Sequence, residues 1–206
     1  MTSRQNTSRL LPELLAPVGS FDKLIAAIHY GADAVYLGGK AFSLRARAGN
    51  FDDAGLRQAI DYAHGHDVKV YVTVNIFAHN RDLDELPAYL ALLRDAGADG
   101  LIVSDPGILS LARQLVPELP LHLSTQANVT NSANANFWAG QGVVRLNLAR
   151  ELGLEEIRAI RRATTAELEV FVHGALCISY SGRCMLSNYF TGRNANQGDC
   201  AHPCRY

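Results

Sequence analysis

The chain has 206 residues, 48% hydrophobic and 19% charged, and this composition can bury a sizeable core, which excludes an intrinsically disordered protein. A formal net charge of −1 excludes coating of nucleic acid by bulk charge, while a local basic patch could still grip a phosphate backbone. The polar opening MTSRQNTSRLL has no secretory apolar core, and no later run approaches the roughly 20 apolar residues of a membrane span, so a cytoplasmic protein without a membrane partner is expected.

Residues 1–9 read as a disordered tail. From residue 10 to 174, short apolar and often β-branched runs alternate with amphipathic stretches, the pattern of βα units around a parallel sheet. In chain order the reading is strand Pro12 to Ala16, helix Ser20 to Tyr30, strand Ala34 to Leu37, helix Asp53 to His64, strand Lys69 to Asn75 and helix Leu83 to Ala96. It continues with strand Gly100 to Val103, helix Gly107 to Leu115, strand Leu121 to Ser124, helix Ser132 to Gly140, strand Val143 to Leu148, helix Gly153 to Ala163 and strand Glu169 to His173.

YGADAVYLGG at 30–39 and AGADGLIVSD at 96–105 repeat 66 residues apart, each passing from a helix-ending glycine through Ala-Asp into a buried strand. That spacing suits two strands and two helices per unit, as in a TIM-type (β/α)8 barrel. A doubly wound sheet is the alternative, but no G-x-G-x-x-G follows the first strand. A whole barrel takes eight strands and about 250 residues, so seven strands predict an incomplete barrel. Either a further C-terminal region supplies the eighth strand, or a small open barrel is closed by its tail or by a partner chain. Two unpaired sheet edges would then favour a partner protein or an oligomer.

Barrel chemistry sits on the loops after the strands, and those loops are polar: Lys40, Arg45 and Arg47 follow the second strand, Asn75, His79 and Arg81 the third, Gln126 and Asn128 the fifth, and Arg150 and Glu151 the sixth. Guanidinium groups bind carboxylate or phosphate through paired hydrogen bonds, so an anionic ligand is one reading of this basic mouth; solvated loop charge is the other.

All four cysteines, Cys177, Cys184, Cys200 and Cys204, fall in the closing segment 175–206. In a reducing compartment they read as metal ligands rather than disulfides. Four thiolates suit either a tetrahedral zinc site or a [4Fe-4S] cluster. Only Cys200 and Cys204 are spaced as a zinc pair, and the loops around the rest can offer backbone N–H groups to sulfide. Arg183, Arg193 and Arg205 face one acid, Asp199, so the segment is locally basic; that charge could offset a thiolate cluster or touch RNA. His173 and His202 read as packing or hydrogen-bonding residues.

ELLAPVGS at 13–20, GADAVYLGGKAFSLRARAGNF at 31–51, STQANVTN at 124–131 and EVFVHGALCISYSGRCMLS at 169–187 resemble the collagenase-like peptidases of peptidase family U32. The resemblance runs from about Leu10 to the last residue. It implies a barrel whose cysteines hold a [4Fe-4S] cluster, and a family with members that hydroxylate a tRNA uridine, an rRNA cytidine or the ubiquinone ring, with prephenate implicated as hydroxyl source. Cys177, Cys184, Cys200 and Cys204 match the cysteine pattern of the RNA-hydroxylating members, including the closing C-x3-C. Prephenate, a dicarboxylate, would suit the basic mouth, with Lys40, Arg45 and Arg47 for its carboxylates and Asn75, Gln126 and Asn128 orienting it.

The peptidase label finds little in the motifs: there is no H-E-x-x-H, and Ser179 stands where G-x-S-x-G needs its leading glycine. Three functions are carried forward: RNA hydroxylation, a collagenase-like peptidase, and a non-catalytic iron-sulfur or zinc interaction protein. No residue is assigned to proton transfer.

Overall fold

A computed structural model describes residues 11–44, 50–174, 177–179 and 183–206. Seven parallel strands, each paired with the next in the chain, form one sheet in the order β1 to β7. They are β1 (Leu15–Pro17), β2 (Ala34–Gly38), β3 (Lys69–Val74), β4 (Gly100–Val103), β5 (Leu121–Leu123), β6 (Val143–Asn147) and β7 (Glu167–Glu169). The helices are α1 (Phe21–His29), α2 (Asp53–His64), α3 (Asn80–Leu83), α4 (Leu86–Asp95), α5 (Pro106–Leu115), α6 (Ser132–Gly140), α7 (Leu154–Ala163) and α8 (Leu186–Thr191). This is an α/β half-barrel of sequential parallel strands, close to a TIM barrel; among the described residues β1 and β7 are not paired with each other. No described helix is long and apolar enough to cross a membrane.

The period of two in a strand sorts the side chains. Val35 and Leu37 of β2, Val70, Val72 and Val74 of β3, Leu101 and Val103 of β4, and Leu123 of β5 are fully or almost fully buried against the helices. Leu24 of α1, Leu56 and Ile60 of α2, Leu90 and Leu93 of α4 and Ile108 of α5 complete that core. The opposite face lines the barrel interior, where Ala34, Tyr71 and Ile102 pack with Leu15 and Tyr36.

Helix starts follow local chemistry. Asp52 caps α2 by accepting from the Gly55 amide, and Asp105 caps α5 by accepting from Gly107 and Ile108, with Pro106 in the first turn, where a missing N–H costs nothing. The helix expected over Leu83 to Ala96 begins at Leu86 as α4, and Pro87 in its first turn supplies the reason, proline being at home where a helix begins; the short α3 that precedes it was not expected. α8 was not legible as a helix, since a six-residue stretch shows too few turns for a period to emerge.

The last strand is also shifted from its expected place. β7 pairs Arg145 with Glu167 and Asn147 with Glu169, so the register ends where β6 ends. Val170, Phe171 and Val172, the residues that made the run look like a strand, lie beyond it and are exposed, Val172 at 85%.

At the N-terminal end of the interior a polar cluster ties distant strands together. Arg145 of β6 donates from Nη1 to Glu13 Oε1 at 2.6 Å and from Nε to Glu167 Oε2 at 2.7 Å. Its guanidinium carbon sits 5.1 Å from the centre of the Tyr71 ring, and the Tyr71 hydroxyl donates to Glu13 at 3.1 Å. The His122 ring meets Tyr71 edge-on at 4.5 Å. Gly100 makes room for both rings, because a Cβ there would lie 3.3 Å from Tyr71 and 3.4 Å from His122. Burial, with Arg145 adding its repulsion, pushes the His122 imidazole down to about 3. Burial raises the Glu13 carboxyl, but Arg145, Tyr71 and Lys69 outweigh it and hold the group below its ordinary value.

Arg145→Met leaves Glu13 without its main partner and should lower unfolding free energy by about 2 kcal/mol in urea denaturation; Glu13→Gln added to it should recover part of the loss. His122 binds its proton more weakly when folded than when unfolded. Stability should therefore fall as pH drops from 6.5 towards 3, and His122→Gln should flatten the fall in midpoints measured across that range.

Candidate functional site

The C-terminal strand ends surround a cavity of ≈ 380 Å³, in the range of small-molecule sites. Its wall takes Pro17 from β1, Gly38 from β2, Thr73 and Asn75 from β3 and its end, Ile102 from β4, Ser124 and Gln126 after β5, Asn147 from β6 and Glu169 from β7. Lys23 of α1 and Ser43, Leu44 and Asn50 of the loop after β2 close one side.

That loop is held down by its own backbone. The Phe42 carbonyl accepts the amides of Asn75 at 2.9 Å and Ile76 at 3.3 Å, with Phe42 in the left-handed region at φ 58. Gly38 permits the close approach, since a Cβ there would lie 2.3 Å from Ser43 Oγ and 2.9 Å from Thr73 Oγ1. Ser43 and Thr73 are linked at 2.9 Å, and Thr73 donates onward to the Leu37 carbonyl.

Asn75 is the hinge of the polar wall. Its side-chain oxygen accepts from the Leu44 amide at 3.2 Å, and its carbonyl accepts from Gln126 Nε2 at 3.1 Å and Ser104 Oγ at 3.2 Å. Gln126, only 5% exposed, in turn accepts from Ser124 Oγ at 3.0 Å. Across the cavity Asn147 donates to Glu169 Oε1 at 2.7 Å, while Asn147 Oδ1 is buried with no partner. Burial raises the Glu169 carboxyl to about 7; the Arg145 charge works against that rise and Glu13 works with it.

The cysteine segment docks beside this mouth. Arg150, after β6, donates from Nη2 to the carbonyls of Cys177 and Ser179, both at 3.0 Å. Asn196 forms a second tie: its side chain accepts from the Cys184 amide at 3.0 Å and its carbonyl from the Phe77 amide, after β3, at 3.0 Å. Ser187, fully buried, accepts from the Ala201 amide and donates to the Asp199 carbonyl, so α8 carries the approach to Cys200. All four thiols are free of disulfides, and Cys200 Sγ accepts from the His202 amide at 3.3 Å. Among the described residues no three Cys, His, Asp or Glu side chains are gathered as a metal-holding group.

The family model of peptidase family U32 matches residues 19–206, nearly the whole chain. The chain belongs to peptidase family U32. It is 46% identical to the tRNA hydroxylation protein P1 of Bacillus subtilis over 95% of its own length and 46% of that protein's. It is 42% identical to the 23S rRNA 5-hydroxycytidine C2501 synthase of Escherichia coli, over 94% of this chain and 29% of that one. The chain thus spans less than half the length of these relatives. The solved structure of a U32 peptidase superposes with a TM-score of 0.67 at 18% identity, covering 82% of this chain and 72% of that one, which supports the fold.

Of the ligand-binding residues expected from sequence, Asn75 and Gln126 line the cavity and are joined by a hydrogen bond. Lys40 does not line it; its exposed side chain pairs with Asp52 at 3.6 Å. Asn128 serves a turn, in the left-handed region at φ 55, with its carbonyl accepting from Asn134. Arg45 and Arg47 lie outside the described residues. Lys23, Asn147 and Glu169 were missed. The E-L-E alternation at 167–169 could have shown Glu167 and Glu169 sharing the inward face, had the strand been placed two residues earlier.

Arg150→Ala removes both carbonyl ties to residues 177–179 and should loosen the segment without unfolding the barrel. Trypsin should then cleave after Arg183 at least severalfold faster while the thermal midpoint stays within a few degrees of wild type.

Proposed function

We propose that this chain takes part in oxygen-independent hydroxylation of RNA, at a tRNA uridine or an rRNA cytidine, with prephenate or a similar small dicarboxylate as hydroxyl source. The observation that carries the reading is 46% identity, over 95% of the chain, to a protein named for tRNA hydroxylation, together with similarity to an rRNA 5-hydroxycytidine synthase. The cavity supports it with a polar wall of Asn75, Ser124, Gln126 and Asn147 and the Lys23 ammonium at its side, which can bind and orient a small polar acid.

We infer further that Cys177, Cys184, Cys200 and Cys204 would hold a [4Fe-4S] cluster. The donor chemistry fits: four unpaired thiols, one already accepting a backbone N–H, in a locally basic segment tied to the mouth by Arg150 and Asn196. When bound, such a cluster supplies one-electron transfer. The role of the chain's own residues is to hold the cysteine segment beside the cavity mouth and to orient what binds in the cavity. A thiol peptidase would need a cysteine activated by an imidazole, and among the described residues no cysteine thiol is hydrogen-bonded to a histidine ring.

Cells lacking the gene should lose one nucleoside that is a single oxygen heavier than its parent, on tRNA or ribosomal RNA. Cys177→Ala or Cys200→Ala should reproduce the loss, because one missing thiolate weakens the whole cluster. Unchanged nucleosides in the deletion strain, or cysteine-dependent cleavage of a protein substrate without metal, would count against hydroxylation. Anaerobically purified protein should be brown with roughly four iron and four sulfide per chain; a colourless protein with bound zinc would overturn the cluster assignment.

A further inference from the structure

Glu169 is the only carboxylate among the described residues lining the cavity. It closes β7 on the inward face, and its Oε1 accepts from Asn147 Nδ2 at 2.7 Å, one strand over. One of the two N–H groups of that amide is used on the carboxylate, and its Oδ1 is left buried and unpartnered. A buried acceptor without a donor is destabilising, and here it sits in a residue on the wall of a cavity that a small molecule can enter. Glu169 lines the cavity with this buried oxygen beside it, so its carboxylate is the acidic group that a ligand bringing N–H or O–H groups would meet.

We propose that Glu169 is the proton-transfer residue of this cavity and Asn147 the residue that positions it. The identity of the reaction rests on the hydroxylation reading above; the existence of a titrating carboxyl does not. Burial holds the Glu169 carboxyl at about 7, the Arg145 charge of β6 working against that rise and Glu13 with it, while Lys23 of α1 also lines the cavity. A group divided between its acid and base forms at working pH is matched to taking a proton and giving it back. A purely structural tie between β6 and β7 has no need of the acid: a glutamine there would accept from Asn147 just as well, with no charge to desolvate.

In the assigned step the Glu169 carboxylate takes a proton from an O–H or N–H of the bound molecule: that bond breaks heterolytically, its electron pair stays on the ligand oxygen or nitrogen, and the proton forms the O–H of the Glu169 acid, from which it passes to water. One proton moves, and the oxidation state of the protein is unchanged.

The test uses the whole gene product in the deletion strain, with the heavier nucleoside quantified by mass spectrometry. Wild type should restore it, Glu169→Gln should lower it about 100-fold or more, and Glu169→Asp should retain a measurable part, while thermal unfolding shows both variants folded. If wild type restores the nucleoside and Glu169→Gln restores it equally, the assignment is overturned. If wild type itself fails to restore it, the hydroxylation reading falls, and the carboxyl is judged by titration of glutamate-labelled protein by carbon NMR. A midpoint near 7 for Glu169 supports the assignment, and one below 5 overturns it even if Glu169→Gln proves insoluble. Asn147→Leu removes the donor to the carboxylate and should move that midpoint upward; an unmoved midpoint removes Asn147 from the role.

Discussion

The guanidinium of Arg145 is the interaction on which the curvature of this molecule depends. Seven parallel strands in sequential order could lie as an open twisted sheet, yet Arg145 on β6 reaches Glu13 ahead of β1 while resting on the Tyr71 ring of β3. Those groups are far apart along the sheet order, so they meet only if the sheet curls. The cluster is costly, because each charge has left water, and it persists because every charge has partners of good geometry. The consequence appears at the other end of the strands, where the same curl brings the ends of β1, β3, β5, β6 and β7 around one cavity.

The cavity inherits its electrostatics from that arrangement. Along each strand the inward side chains alternate, so the residues above the N-terminal cluster belong to the cavity: Thr73 above Tyr71, Ser124 above His122, Asn147 above Arg145 and Glu169 above Glu167. Most of these are neutral and hydrogen-bonded to one another or to backbone carbonyls, which leaves the single carboxylate of Glu169 in a wall of amides and hydroxyls. Burial therefore dominates its ionisation, and the Arg145 charge one layer down only moderates it.

The cysteine segment depends on the barrel in a different way. Among the described residues Ser187 and Ala195 are its buried members, whereas Ile178, Tyr189 and Phe190 are largely exposed. Its place is set by hydrogen bonds to two barrel loops, through Arg150 after β6 and Asn196 against the end of β3. Arg150 was counted from sequence as part of a basic mouth open to an anion; in the structure its Nη2 is committed to the carbonyls of Cys177 and Ser179.

By itself the sequence determined the α/β class, six of the seven strands to within a few residues, and the gathering of every cysteine into one closing segment, because apolar periodicity and cysteine spacing are local properties. It also held the family, through motifs spread over most of the chain. It could not place β7, since Val170, Phe171 and Val172 are as apolar as any buried strand and only the register against β6 shows the pairing ending at Glu169. Nor could it separate Lys40, on an exposed loop beside Asp52, from Asn75 and Gln126, because charge and loop position look alike until the loop after β2 folds back onto β3. The pairing of Asn147 with Glu169 joins residues 22 apart, and the contact of Arg145 with Glu13 joins residues 132 apart. Such meetings depend on strand register and sheet curvature, which are decided by the packing of the whole chain, and with them the tertiary structure alone decided which polar side chains face the cavity.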